Sequence, residues 1–173
     1  MPKPVQVATP SDREVVVTRV FDAPRELIWD CHTKPELVKR WLLGPPGWSM
    51  PVCVVDLRVG GRYRYVWRND ADGSQFGSFG VHREIAAPER LVTTELMDGL
   101  DGQPMDIENP RMEGEPAINT MTLAESGGRT TLTISMLFPS KEVRDMAVQS
   151  GMTDGMAQSY DRLEEVAASL PAA

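Results

Sequence analysis

The hydrophobic period of this chain changes at Gly44-Pro45-Pro46-Gly47, and that change constrains the fold more than any other feature. Before it, apolar residues recur at helical spacing, and two adjacent prolines cannot continue a helix. After it, six segments alternate with a period of two: 51–59, 62–68, 75–85, 91–97, 117–124 and 130–138. Several turns between them carry hairpin chemistry, Gly60-Gly61 and Ser126-Gly127-Gly128 above all. Consecutive strands joined this way make an antiparallel meander, whose apolar face needs a cover.

Residues 140–170 supply the one stretch long enough to lie across such a sheet. Ser140 suits the N-cap, and Met152, Met156, Leu163, Val166 and Leu170 form an apolar stripe with Arg162, Glu164 and Glu165 outside it. Gly151 marks a kink or a break. Upstream, Glu14–Phe21 is rich in β-branched residues and reads as the first strand. Pro24 then opens a short helix with Leu27, Ile28 and Cys31 on one face, and Pro35 opens another with Leu37, Val38, Trp41 and Leu42. The order is strand, two short helices, six strands, long helix. It predicts an α+β fold in which a curved antiparallel sheet of about seven strands wraps the C-terminal helix, the two short helices closing one end. Residues 1–12, with three prolines and no periodicity, are expected to form a flexible arm. Residues 13–173 then make one domain with an acidic loop insertion at about 98–116.

Charge narrows the function classes. The net charge is −7, and six acids against Arg111 between Asp98 and Glu115 account for five of those charges. The rest is nearly neutral and has no cluster of Lys and Arg, which argues against nucleic acid as a partner. Cys31 and Cys53 lie in apolar contexts without CxxC or HxxxH spacing, so they read as core residues; no metal or cofactor is implied. No apolar run suits a signal peptide or a membrane span, which places the protein in the cytoplasm. A homodimer is compatible with all of this.

Particular residues also resemble a known family. Phe21-Asp22-Ala23-Pro24 with Trp29, Pro35-Glu36-Leu37 with Trp41, Gly44-Pro45 and Asp56-Leu57-Arg58-Val59-Gly60-Gly61-Arg62-Tyr63 come in order. Gly80, Glu84-Ile85, Pro88-Glu89-Arg90-Leu91, Gly151-Met152 and Tyr160-Asp161-Arg162-Leu163 follow. This ordered set is similar to the homologues of the activator of the heat-shock-protein-90 ATPase, within the START-like, or SRPBCC, helix-grip superfamily. The resemblance implies the helix-grip fold. It does not transfer the co-chaperone activity, because that protein has an additional chaperone-binding domain for which one domain leaves no room.

The candidate ligand pocket is the sheet–helix interior, lined by Trp29, Trp41, Tyr63, Tyr65, Trp67, Phe79, Met121, Met136, Met152 and Met156. Tyr63, Tyr65 and Trp67 alternate with Arg62, Arg64 and Arg68, so the aromatic face is expected to pack and the arginine face to be solvated. An ordinary core and a ligand cavity both satisfy this pattern; buried phenols that want hydrogen-bond partners, and adaptable methionines, suit the cavity. No catalytic residues are assigned, since GxSxG, P-loop, GxGxxG and HExxH are all absent. His32 reads as a solvated or capping residue. His82 is expected to face outward, opposite Phe79, Val81 and Ile85. The acidic segment reads as a solvated loop, one that could cover the pocket mouth. Three functions compete. The first is binding of a hydrophobic, aromatic or lipid-like small molecule. The second is a cyclase- or hydrolase-type enzyme in the same pocket, with Glu95, Tyr65 and Arg83 as candidate groups. The third is a stress-related interaction module or co-chaperone-like regulator.

Overall fold

The computed structural model describes residues 4–102 and 104–171. The chain runs β1 (Gln6–Ala8), β2 (Glu14–Phe21), α1 (Arg25–Thr33), α2 (Pro35–Trp41), β3 (Trp48–Val55) and β4 (Arg62–Asn69). It continues with β5 (Gln75–Ala86), β6 (Arg90–Asp98), β7 (Ala117–Ser126), β8 (Arg129–Leu137), α3 (Lys141–Gln149) and α4 (Met152–Ser169). All eight strands join one antiparallel sheet in the order β1-β2-β8-β7-β6-β5-β4-β3. The α+β architecture is the predicted one, with one strand more than expected. The extra strand is β1, inside the arm that had been expected to be flexible. It pairs Gln6 with Thr18 and Ala8 with Val16, along an edge of β2 that would otherwise be bare. Residues 1–3 of that arm lie outside the described residues.

The C-terminal stretch is two helices. Ser140 caps α3 as anticipated, its Oγ accepting from the Val143 N–H at 3.2 Å. At Gly151 the backbone takes φ +84°, left-handed geometry that a glycine adopts without a Cβ penalty, and the chain restarts as α4. No residue of α3 is buried. By contrast α4 buries Ser159, Tyr160, Leu163, Val166 and Ala167, all in its C-terminal two-thirds.

Two apolar clusters hold the inner face. The larger joins Val15, Val17 and Phe21 of β2, Leu132 and Met136 of β8 and Met121 of β7 to Ile28 and Trp29 of α1, Trp41 of α2 and Leu163 of α4. Each fully buried side chain there, Phe21, Ile28, Leu132 and Leu163 among them, stabilises the fold by about 1.5–3 kcal/mol relative to exposure. Trp41 stacks on Tyr160 with centroids 6.0 Å apart and donates its indole N–H to the Cys31 carbonyl at 2.7 Å, which ties α1, α2 and α4 together. The smaller cluster holds Val38, Met50 and Cys53, with Leu42, Leu43, Tyr65 and Trp67 against it. Both cysteines are free and buried, and burial pushes both thiols up to about 11. They behave as small apolar residues.

Arg19 is the exception on the inner face of β2, sharing it with Val15, Val17 and Phe21 at 1% exposure. Its guanidinium donates to Asp161 at 2.8 Å and Glu164 at 3.0 Å, pinning α4 to β2.

The outer face departs from expectation. Arg64 is not solvated; it is 7% exposed and donates to both Asp98 carboxylate oxygens, at 2.7 and 2.8 Å. It also donates to the Ile107 carbonyl at 3.0 Å and lies over the Phe79 ring. The acidic segment therefore folds partly onto the outer face of β4 and β5, with an ion pair beneath it, and there it is not a freely solvated loop.

Candidate functional site

Strand register decides which predicted residues meet. Tyr63 pairs with Gly80 and Tyr65 with Ser78, whereas Phe79 pairs with Arg64. Directly paired residues share a face. Ser78 and Gly80 thus lie with the tyrosines on the inner face, and strand alternation adds His82. Phe79 lies on the outer face with Arg64, so it does not join the interior aromatics, and His82 does not face outward. In the sequence, the bulk of Phe79 and Val81 suggests the opposite phase. That signal misleads here because the acidic segment covers the outer face and gives Phe79 a second place to be buried.

Of the predicted lining, Trp29, Trp41, Met121 and Met136 sit deep in the larger cluster, while Met152 and Met156 are half-buried at its edge. Tyr65 and Trp67 flank the smaller cluster, and the Trp67 indole donates to the Leu42 carbonyl at 2.7 Å. Tyr63 lies between. Its ring crosses Gly80 so that its hydroxyl donates to the Thr94 carbonyl on β6 at 2.7 Å. Glycine is required there: a Cβ would run into the Thr94 carbonyl oxygen and approach Tyr63 Cε1 at 2.9 Å.

Between the two clusters runs a polar strip. The register that pairs Phe79 with Leu96 and His82 with Thr93 sets Gly80 opposite Glu95, and Thr93 pairs with Asn119. Ser78, Glu95, His82, Thr93 and Asn119 therefore share the inner face with Tyr63 and Tyr65. Ser78 donates to Glu95 Oε2 at 3.1 Å. The Glu95 carboxyl is raised above the ordinary carboxylate range, chiefly because burial disfavours its charge; hydrogen bonds from Ser78 and Asn119 act in the opposite sense. His82 is 3% exposed, and both ring nitrogens are enclosed without a hydrogen-bond partner. Desolvation holds it below the usual imidazole range, against the attraction of Asp56. Asn119 Oδ1 is likewise enclosed and unpartnered. Tyr65, Thr93, Glu95 and Asn119 are each only half-buried, so these residues keep part of their surface in solvent.

Glu95 and Tyr65, two of the three candidate reactive groups, thus lie on the inner face, and Arg83 is exposed. His82, Ser78 and Asn119 had no place in the predicted lining. Strand alternation counted from Tyr63 across the turn would have found Ser78 and His82. His32 is half-buried against Trp41, centroids 4.9 Å apart, rather than solvated. Its Nδ1 meets the Ile28 carbonyl at 2.8 Å; a carbonyl only accepts, so that nitrogen carries the proton and His32 caps the last turn of α1.

An open cleft of about 610 Å³ lies elsewhere, walled by the acidic segment through Met97, Leu100, Met105, Asp106 and Arg111. Its best-buried acid, Asp98, is already paired with Arg64. The inner strip is the stronger candidate, because its polar groups are enclosed and several lack partners. Among the described residues, no three His, Cys, Asp or Glu side chains are grouped to hold a metal, and no helix is long and apolar enough to cross a membrane.

Comparison with known proteins agrees with this architecture. A crystal structure of a Rhodobacter sphaeroides protein superposes with a TM-score of 0.83 at 28% identity, covering 96% of this chain and 100% of that one. One from Nitrosomonas europaea gives 0.75 at 25% identity over 91% of this chain and 96% of that one. A Mycobacterium smegmatis protein shares the fold, at 0.80 and 22% identity, over 97% of this chain and 99% of that one. No curated protein matches the sequence. The family model described as Activator of Hsp90 ATPase homolog 1-like protein matches residues 22–168. With that match across most of the chain, over a helix-grip sheet of the same kind, the protein belongs to the Activator of Hsp90 ATPase homolog 1-like family.

Proposed function

We propose that the protein binds a small, mainly apolar or aromatic molecule on the inner face of its sheet, with the polar part of that molecule against Glu95. The observation that carries this reading is Glu95 itself. It is a carboxyl set among Tyr63, Tyr65, Ser78 and Asn119, between two apolar clusters that are each complete without it. A core built for stability alone would place an apolar side chain there, since even a half-buried ionisable group loses hydration and costs free energy. Ligand sites combine an apolar wall with a few placed polar groups, and this strip does so. The test is a thermal-shift screen of aromatic and lipid-like compounds on the native protein and on Thr93→Phe, which fills the strip. Compounds that raise the melting temperature of the native protein and not of the variant support the reading. An unchanged melting temperature across the screen, or equal shifts in both proteins, overturns it.

The raised carboxyl favours a second reading, an enzyme in which Glu95 takes or gives a proton on the bound molecule. Loss of turnover, with binding retained, in Glu95→Gln would distinguish it from simple binding.

A further inference from the structure

The enclosed atoms of the strip that lack a hydrogen-bond partner are unbalanced, two acceptors against one donor, and the imbalance points to a ligand class. Asn119 Oδ1 is an enclosed acceptor with no donor. A neutral His82 ring adds a second acceptor at one nitrogen and a single donor at the other, both unpartnered. The Glu95 carboxyl adds further acceptor capacity. Tyr63 contributes no free donor, because its hydroxyl is committed to the Thr94 carbonyl.

Among the described residues, no lysine or arginine hydrogen-bonds or ion-pairs with these acceptors. Arg19, on the same face, is neutralised by Asp161 and Glu164. Arg64 is on the opposite face with Asp98. A carboxylate or phosphate ligand would therefore add its charge to that of Glu95 with nothing to offset either one. An ammonium group reverses each of these terms. It has three donors and no acceptor, it pairs with Glu95, and it gains from electron-rich ring faces such as those of Tyr63 and Tyr65, whose centroids are 5.1 Å apart. The enclosed donor of the strip that lacks a partner, the His82 N–H, calls for a neutral acceptor on the same ligand. His82 and Glu95 lie on adjacent strands and are offset by two residues along them, roughly 7 Å.

We propose that the strip recognises an aromatic or apolar organic amine, its ammonium at Glu95 and Asn119 and a neutral oxygen toward His82. This rests on the reading that the inner face holds a ligand, and it makes a narrower claim. The experiment measures affinity by calorimetry for para-methoxyphenethylamine, para-methoxyphenethyl alcohol and para-methoxyphenylacetate, three probes that share a ring and a methoxy oxygen and end in an ammonium, a hydroxyl and a carboxylate. The amine is expected to bind at least about tenfold more tightly than the carboxylate, a difference of about 1.4 kcal/mol, and Glu95→Gln should abolish that preference. Should Glu95→Gln fail to fold, Asn119→Ala serves instead, with a weaker amine affinity expected. A carboxylate or alcohol that binds as tightly as the amine overturns the amine assignment and leaves the ligand-binding reading standing. Failure of all three probes overturns the assignment too; the broader reading then falls only if the Thr93→Phe screen is also negative.

Discussion

The ion pair at Arg19 supports a test in which two removals of the same interaction differ in cost. Arg19 is 1% exposed, while its partners Asp161 and Glu164 are 39% and 27% exposed. Removing the arginine as Arg19→Met leaves two carboxylates that water can reach, and an unbranched apolar chain takes the buried position. That change should lie between neutral and about 2 kcal/mol. Removing the charges instead, as Asp161→Asn with Glu164→Gln, strands a guanidinium in the core beside Phe21, with its Nε already lacking a partner. Glutamine keeps an acceptor for the Asp22 N–H that Glu164 Oε1 holds at 3.1 Å, so the substitution isolates the charge. An uncompensated buried charge costs about 3–5 kcal/mol, and for a chain of this length each kcal/mol lowers the melting temperature by about 2–4 °C. Urea unfolding followed by circular dichroism, with a thermal scan beside it, should therefore rank the acid double variant well below Arg19→Met. If the double variant is as stable as Arg19→Met or more so, the guanidinium is not the buried charge of this pair and the account of how α4 is pinned fails.

Gly80→Ala should destabilise by at least about 1–3 kcal/mol in a urea melt, because its Cβ meets the Thr94 carbonyl and displaces the Tyr63 ring. Arg64→Ala should free the acidic segment, read as faster hydrogen exchange at residues 104–109, where the Asp106 and Ile107 carbonyls accept from Arg64. The folded-state pKa of Glu95 is raised, so the folded state binds more protons than the unfolded one and stability falls as pH rises from the ordinary value of 4.5 through the raised pKa. Ser78, Asn119, Tyr63 and Tyr65 face that carboxyl, and none of them carries a positive charge. Glu95→Gln should accordingly be more stable than the native protein at neutral pH, with the gain vanishing in acid. His32 has the opposite sign. Its pKa is lowered from 6.5 to about 4, chiefly by burial, so the stability of the neutral ring is complete above 6.5 and is lost as pH falls toward 4. The loss is on the order of 2 kcal/mol, since the residue keeps part of its surface outside, and His32→Gln should flatten that limb of the stability curve.

The order of elements was legible because each boundary has a local cause. The prolines after Trp41, the hairpin glycines and the Ser140 cap act within a few residues of where they stand. Facing was less legible, because it depends on what covers the second side of the sheet. The segment Phe79-Gly80-Val81-His82 has its bulky residues on one phase and glycine and histidine on the other. An apolar-in rule chooses the first phase, and the structure takes the second. Asp98 and the carbonyls beyond it supply the cover that makes the outer face habitable for Phe79 and Arg64, and nothing local to β5 announces it. Arg19 shows the same limit: alternation places it inward with Val15, Val17 and Phe21, while its partners lie 142 and 145 residues away.

These misreadings share a cause that bears on function. Period-two reasoning assigns inward positions to apolar residues, so it is least informative where the inner face is polar, which is where a ligand would be recognised. Along the row Val15, Met136, Asn119, Thr93 and His82, the apolar end is closed over within the larger cluster, while the polar end belongs to neither apolar cluster. Folding draws chiefly on the clusters at either side, so the strip can be changed without dismantling them. Apolar replacements at Glu95, Asn119 or His82 should therefore leave the protein folded or more stable while abolishing ligand affinity, whereas replacements at Phe21, Trp41 or Leu163 should cost about 2–5 kcal/mol with no separate effect on recognition. Parallel measurement of unfolding free energy and ligand affinity across these six positions would separate the two groups, and a strip variant that loses stability and affinity in proportion would return those residues to the core.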